Sequence, residues 1–107
     1  MTTFDKREEG FEKKFAIDEE QKFKAGARRN KLLGLWAADR LGITGDAAAA
    51  YAKEVISAEF DGTGDTGVIR KVMRDFGAKS VVLGEAELRA KMAELMAEAI
   101  AQVKAGV

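Results

Sequence analysis

Lys22-Phe-Lys-Ala-Gly-Ala-Arg-Arg-Asn-Lys-Leu-Leu-Gly-Leu-Trp-Ala-Ala-Asp-Arg-Leu41 is the stretch whose reading decides the fold. Leu32, Leu33, Trp36, Ala37 and Leu41 recur at helical spacing and gather on one broad face. Gly42-Ile-Thr-Gly45 is the stop signal, because glycine takes the left-handed turn that ends a helix. Beyond it the same period returns. A helix is expected from about Asp46, with Ala48, Ala52, Val55, Ile56 and Phe60 at core spacing. Val68, Ile69, Val72, Met73 and Phe76 then define a short helix closed by Gly77. The last helix starts near Gly84-Glu85 and presents Leu88, Met92, Leu95, Met96, Ala99, Ile100 and Val103 on one face. Ser80-Val-Val-Leu83 reads as a brief extended stretch or a buried loop. The chain has no proline and is rich in alanine, which favours helix throughout. Four amphipathic helices joined by short loops predict an all-α four-helix bundle over residues 22–107. Trp36 and Tyr51 are expected to pack in it rather than to contact a ligand.

Composition excludes much chemistry. The 107 residues contain no cysteine and no histidine. Disulfides, thiolate metal sites and a cysteine nucleophile are ruled out, and the commonest general base and transition-metal ligand are missing. Lys+Arg and Asp+Glu number 18 each, so the chain as a whole has no electrostatic attraction for nucleic acid. The opening Met1-Thr-Thr-Phe-Asp5 carries no apolar signal core, and no run approaches the ~18 apolar residues of a spanning helix. A cytoplasmic protein without membrane insertion is expected. The acidic groups at Glu8/Glu9, Asp18/Glu19/Glu20 and Glu85/Glu87 lie on charged surfaces, with no apolar pocket to raise a carboxyl pKa. No enzyme is indicated.

The N-terminal segment, residues 1–21, is different in kind. Residues 1–31 hold nine Lys+Arg and seven Asp+Glu, together with four of the six phenylalanines. On a helical projection Phe4, Phe11 and Phe15 fall within about 40° of one another. Asp5, Glu8, Glu9, Glu12 and the Asp18–Glu20 acids occupy one flank, and Lys6, Arg7, Lys13 and Lys14 the other. A core-facing helix has a wider apolar stripe. A narrow aromatic seam between two charged faces suits the groove of a partner; the alternative is a highly charged surface helix whose three rings dock on the bundle. Gly10 lowers helicity by about 1 kcal/mol relative to alanine. The arm is therefore expected to be mobile when free and to order on that partner.

Two further motifs were weighed. Gly62-Thr-Gly64-Asp-Thr-Gly67 matches the dinucleotide pattern GxGxxG, but it follows a helix and not a strand, and Asp61 and Asp65 repel phosphate. It reads as a flexible connector. Arg28-Arg29-Asn30-Lys31 is the densest cationic cluster, and Lys24, Arg28 and Lys31 share a helix face. It is a solvated surface or an anion site for nucleotide phosphates, with Lys24, Arg28, Arg29 and Lys31 as its residues.

The run Met1 to Ala16, then Asp18-Glu-Glu20, Phe23-Lys24 and above all Ala27-Arg-Arg-Asn-Lys-Leu-Leu-Gly-Leu-Trp-Ala-Ala38 resembles the zeta subunit of alphaproteobacterial F-type ATP synthases. Tyr51-Ala-Lys-Glu-Val55 and Val68-Ile-Arg-Lys71 continue the likeness. The resemblance implies a regulatory protein that inhibits ATP hydrolysis by the synthase's catalytic head. Its N-terminal segment orders as a helix in the catalytic interface, against the central stalk, and blocks rotation in the hydrolytic direction. Carried over by position, the inhibitory residues are Phe4, Asp5, Arg7, Glu8, Phe11, Glu12, Phe15, Asp18 and Glu19. The resemblance also brings ADP or ATP as a regulatory ligand of the bundle, with no other cofactor and no metal. Where the family pattern commonly carries a histidine this chain has Ile17, which removes a pH-sensing group from that position. Lys6 and Gly10 depart from it as well.

Overall fold

The structure, a computed structural model, describes residues 18–61 and 64–107. Residues 1–17, which carry most of the expected arm, lie outside the described residues. Among the described residues there are four helices and no strand: α1 (Glu19–Leu41), α2 (Gly45–Ala58), α3 (Asp65–Ala78) and α4 (Glu85–Ala105). The all-α expectation holds.

α1 begins three residues earlier than its apolar period implies, because Asp18 caps it. The Asp18 Oδ1 accepts from the Gln21 amide at 2.7 Å, and the Gln21 Oε1 accepts from the Asp18 amide at 3.3 Å. This reciprocal pair satisfies two amides that a helix start leaves open. Glu19 and Glu20 add negative charge where the helix dipole favours it. The helix ends in a Schellman turn: Gly42 adopts φ 76°, and the Ile43 amide reaches back to the Ala38 carbonyl at 2.8 Å. The same closure ends α3, where the Val81 amide donates to the Phe76 carbonyl at 2.9 Å. There the left-handed position is held by Ser80, at φ 57°.

At roughly 34 Å, α1 is the longest helix and the one on which the others assemble. It packs most extensively against α2 and α4, both antiparallel to it, while α3 closes the core between them. Leu33, Val55, Val68, Val72, Phe76 and Leu88 are fully enclosed and come from all four helices. Trp36 and Tyr51 do pack. The Trp36 ring stacks on Phe76 with centroids 6.1 Å apart, and Tyr51 is buried. Arg40 and Lys91 cover the outer side of the Trp36 ring, at 5.0 and 5.8 Å from its centroid. Helices α1 and α2 approach closely at Gly34, where a Cβ would lie 2.5 Å from the Ala52 Cα. Any larger residue at position 34 would hold α1 and α2 apart.

Two expectations change, and one open alternative is decided. Phe60 is 71% exposed and belongs to no core. The α-helix stops at Ala58, and the 3-10 turn Glu59–Asp61 that follows rotates side chains about 120° per residue, out of phase with the core face. Asp65–Gly67, read as part of a flexible connector, instead form the first turn of α3, and Gly67 is buried. Ser80–Leu83 is a loop and not an extended stretch, and it is only partly buried: Leu83 enters the core while Ser80 and Val82 are exposed.

Candidate functional site

Successive residues of a helix are turned by about 100°, so the basic run of α1 cannot act as one cluster. Arg28 faces the end of α4, where its Nη1 donates to the Gln102 Oε1 at 3.3 Å and to the Val107 carbonyl. Lys24 and Lys31 flank it on the same side. The three border an open groove of about 570 Å³ whose apolar wall includes Ile56 and Val103. Lys24 also pairs with Glu20 at 3.3 Å, but both are exposed, and such a pair contributes little.

Arg29 points the other way. It is 3% exposed, its Nη2 meets the Asp65 Oδ1 at 2.6 Å, and its Nε donates to the Asn30 Oδ1 at 2.8 Å. Asn30, fully buried, donates in turn to the Glu59 Oε2 at 3.1 Å. This chain ties the middle of α1 to the end of α2 and to the first turn of α3. Among the described residues no buried side-chain polar atom lacks a partner. The expected four-residue anion site is therefore corrected. Lys24, Arg28 and Lys31 come together, whereas Arg29 is a structural ion-pair residue on the opposite side. The cause is Asp65: by sequence it belongs to a glycine-rich loop that repels phosphate, and in the fold it is the partner that draws Arg29 inward.

A second basic groove was not anticipated. Lys53 of α2 and Arg70 and Arg74 of α3 line a cleft of about 490 Å³. Lys71 lies in its wall with its charge engaged, since its Nζ is 3.0 Å from both Glu54 Oε1 and Asp75 Oδ2. The Tyr51 hydroxyl donates to the same Asp75 at 2.8 Å. Burial raises the Tyr51 pKa, and the hydrogen bond to Asp75 raises it further. Burial would lower the pKa of Lys71, but its bonds to Asp75 and Glu54 outweigh that and hold it above its usual value. Both groups therefore keep their protons. Arg70 and Arg74 show a helical i, i+4 spacing that was visible in the sequence, but only the packing of α2 on α3 brings Lys53 beside them.

Of the residues expected to meet a partner, Asp18 and Glu19 are exposed at the start of α1, and Asp18 is engaged as its cap. Phe4, Asp5, Arg7, Glu8, Phe11, Glu12 and Phe15 lie outside the described residues. Ile17 does too. Among the described residues no acidic cluster is fit to hold a metal, and no helix is long and apolar enough to cross a membrane.

Comparison with known proteins agrees with this architecture. A family model described as ATPase inhibitor subunit zeta matches residues 1–102. A structure solved by NMR in solution is 52% identical; the alignment covers 79% of this chain and 96% of that one, with a TM-score of 0.69. No curated protein matches the chain.

Proposed function

Since the chain belongs to the ATPase inhibitor subunit zeta family, we propose that it inhibits ATP hydrolysis by an F-type ATP synthase, as a protein ligand with no catalysis of its own. The observation that carries this reading is the extent of the family match, which begins at residue 1 and so takes in the charged arm as well as the bundle. The arm is the inhibitory element. It enters the catalytic interface of the head against the central stalk and opposes rotation in the hydrolytic direction. Phe4, Phe11 and Phe15 supply its apolar seam. Asp5, Arg7, Glu8 and Glu12 supply paired charges on its flanks, and Asp18 and Glu19 join it to the bundle. The work is done in the cytoplasm, beside the membrane face that holds the synthase. Hydrolysis by isolated catalytic heads, titrated with the intact chain, tests the proposal. Inhibition that saturates near one chain per head is expected, and undiminished hydrolysis at high micromolar chain would refute it.

A second reading is favoured by one observation, the groove of about 570 Å³ bordered by Lys24, Arg28 and Lys31. We propose it as the place where ADP or ATP would bind as a regulatory ligand, with the three cations on the phosphates and the apolar wall against the base. Arg29 takes no part in it. Calorimetric titration of the intact chain with ADP, repeated on Arg28→Ala, is the test. Equal heats from both would refute this assignment.

A further inference from the structure

Among the described residues, two of the large apolar side chains left most exposed stand together. Phe23 of α1 is 69% exposed and Phe60 of the 3-10 turn is 71% exposed. Both rings border a single cavity of about 270 Å³, lined also by Gly26, Ala27 and Ile56 and flanked by Lys22 and Glu59. Phenylalanine is seldom left in water to this extent, and a paired exposure around one cavity marks a contact surface. The patch also lies at a particular end of the bundle. α1 starts at Glu19, so Phe23 is about 6 Å along the axis from the point where residues 1–17 join it. α2 runs antiparallel to α1, which brings its terminal turn, with Phe60, to that same end.

We infer that Phe23 and Phe60 form a second docking surface for the synthase's catalytic head, engaged when the arm is inserted. The inference rests on the inhibitory reading given above. The arm has 17 residues before Asp18, at most roughly 26 Å as a helix. A bundle tethered that closely to an occupied site has its arm-bearing end against the head's outer surface, and the two rings are the apolar feature that end presents. Size argues against a second copy of the chain as the occupant. Two rings exposed to this degree offer about 300 Å², about half of the roughly 600 Å² that each partner contributes to even a small stable interface. A patch of that size works only as the second contact of a tethered pair, where the arm supplies a high effective concentration. The recess it requires on the head is apolar, with room for two aromatic edges.

The test uses the intact chain carrying Phe23→Ser and Phe60→Ser. Neither ring is in the core, so the melting temperature stays within a few degrees of the parent. The concentration giving half-maximal inhibition rises about tenfold, while inhibition at saturation is still complete because the arm is untouched. An unchanged half-maximal concentration overturns the inference and leaves the inhibitory reading standing. So does stronger inhibition together with altered backbone signals of Phe11 and Phe15 in the free variant, since the rings would then have held the chain's own arm. Loss of self-association by the variant with unaltered inhibition overturns it too, in favour of a second copy. If the parent chain itself fails to inhibit, the inhibitory reading falls, and direct binding to immobilised heads decides the surface separately. About tenfold weaker capture of the double variant supports it, and equal capture refutes it.

Discussion

Gly34→Ala probes the close approach of α1 to α2 and sets two effects of opposite sign against each other. Alanine is the better helix former, and in the interior of α1 the exchange is worth about 1 kcal/mol in favour of folding. The added Cβ would lie 2.5 Å from the Ala52 Cα and 3.0 Å from its Cβ. Carbon atoms rest at about 3.5–4.0 Å, so α1 and α2 must separate by roughly 1 Å. A backbone atom cannot swing aside as a side chain would. The shift is therefore carried by the whole interface, which includes the fully enclosed Leu33, Ala37 and Val55. Overpacking of this kind costs about 1–3 kcal/mol, and a backbone obstacle places it at the upper end. After the propensity gain, a net loss on the order of 2 kcal/mol remains. For a domain of this size each kcal/mol moves the melting temperature by about 4–8 °C, so calorimetry should find a fall of about 8–16 °C. Gly26→Ala is the control, in the same helix with nothing within 4 Å of the added atom. It should gain up to about 1 kcal/mol and melt several degrees higher. A Gly34→Ala protein as stable as the parent, or more so, would refute the argument that α1 and α2 meet at this glycine.

Three other outcomes are expected. Asp65→Ala strands the Arg29 guanidinium, which is 3% exposed, without its carboxylate; because Asp65 itself is largely solvated, the loss should be about 1–3 kcal/mol, read as a lower urea midpoint at unchanged slope. Tyr51 is the sole tyrosine, and burial with the Asp75 bond raises its pKa, so it should give no phenolate absorbance near pH 10 until the fold opens. A raised pKa means that its contribution is fully present below the unfolded value, about 10, and is lost as pH rises beyond it; Lys71 shifts in the same direction, and Tyr51→Phe should flatten the alkaline fall in stability. Removing residues 1–17 should abolish inhibition with little change in melting temperature, whereas removing Asp18 as well should cost a further 0.5–2 kcal/mol, roughly, through loss of the cap; retained inhibition after the shorter deletion would count against the arm as the inhibitory element.

What the sequence determined by itself is whatever depends on neighbours along the chain. The 3.6-residue period of Leu33, Ala37 and Leu41, the stop at Gly42 and the apolar face of α4 were legible because each rests on residues within a few positions. The all-α class followed from them. The reading of the charged aromatic arm rests on the same local basis, and residues 1–17 lie outside the described residues. Tertiary structure alone decided the rest, because it depends on atoms distant in the chain. Whether Arg29 faces solvent or core is set by Asp65, 36 positions away. Lys53 becomes part of a basic cleft only when α2 lies on α3, and Gly34 becomes indispensable only because Ala52 approaches it. Phe60 kept the spacing of a core residue, yet the change from α to 3-10 winding at Glu59 turned it outward. Periodicity reports which residues share a face of one helix. It carries no information on which face meets a neighbour, or on the single turn where the winding changes.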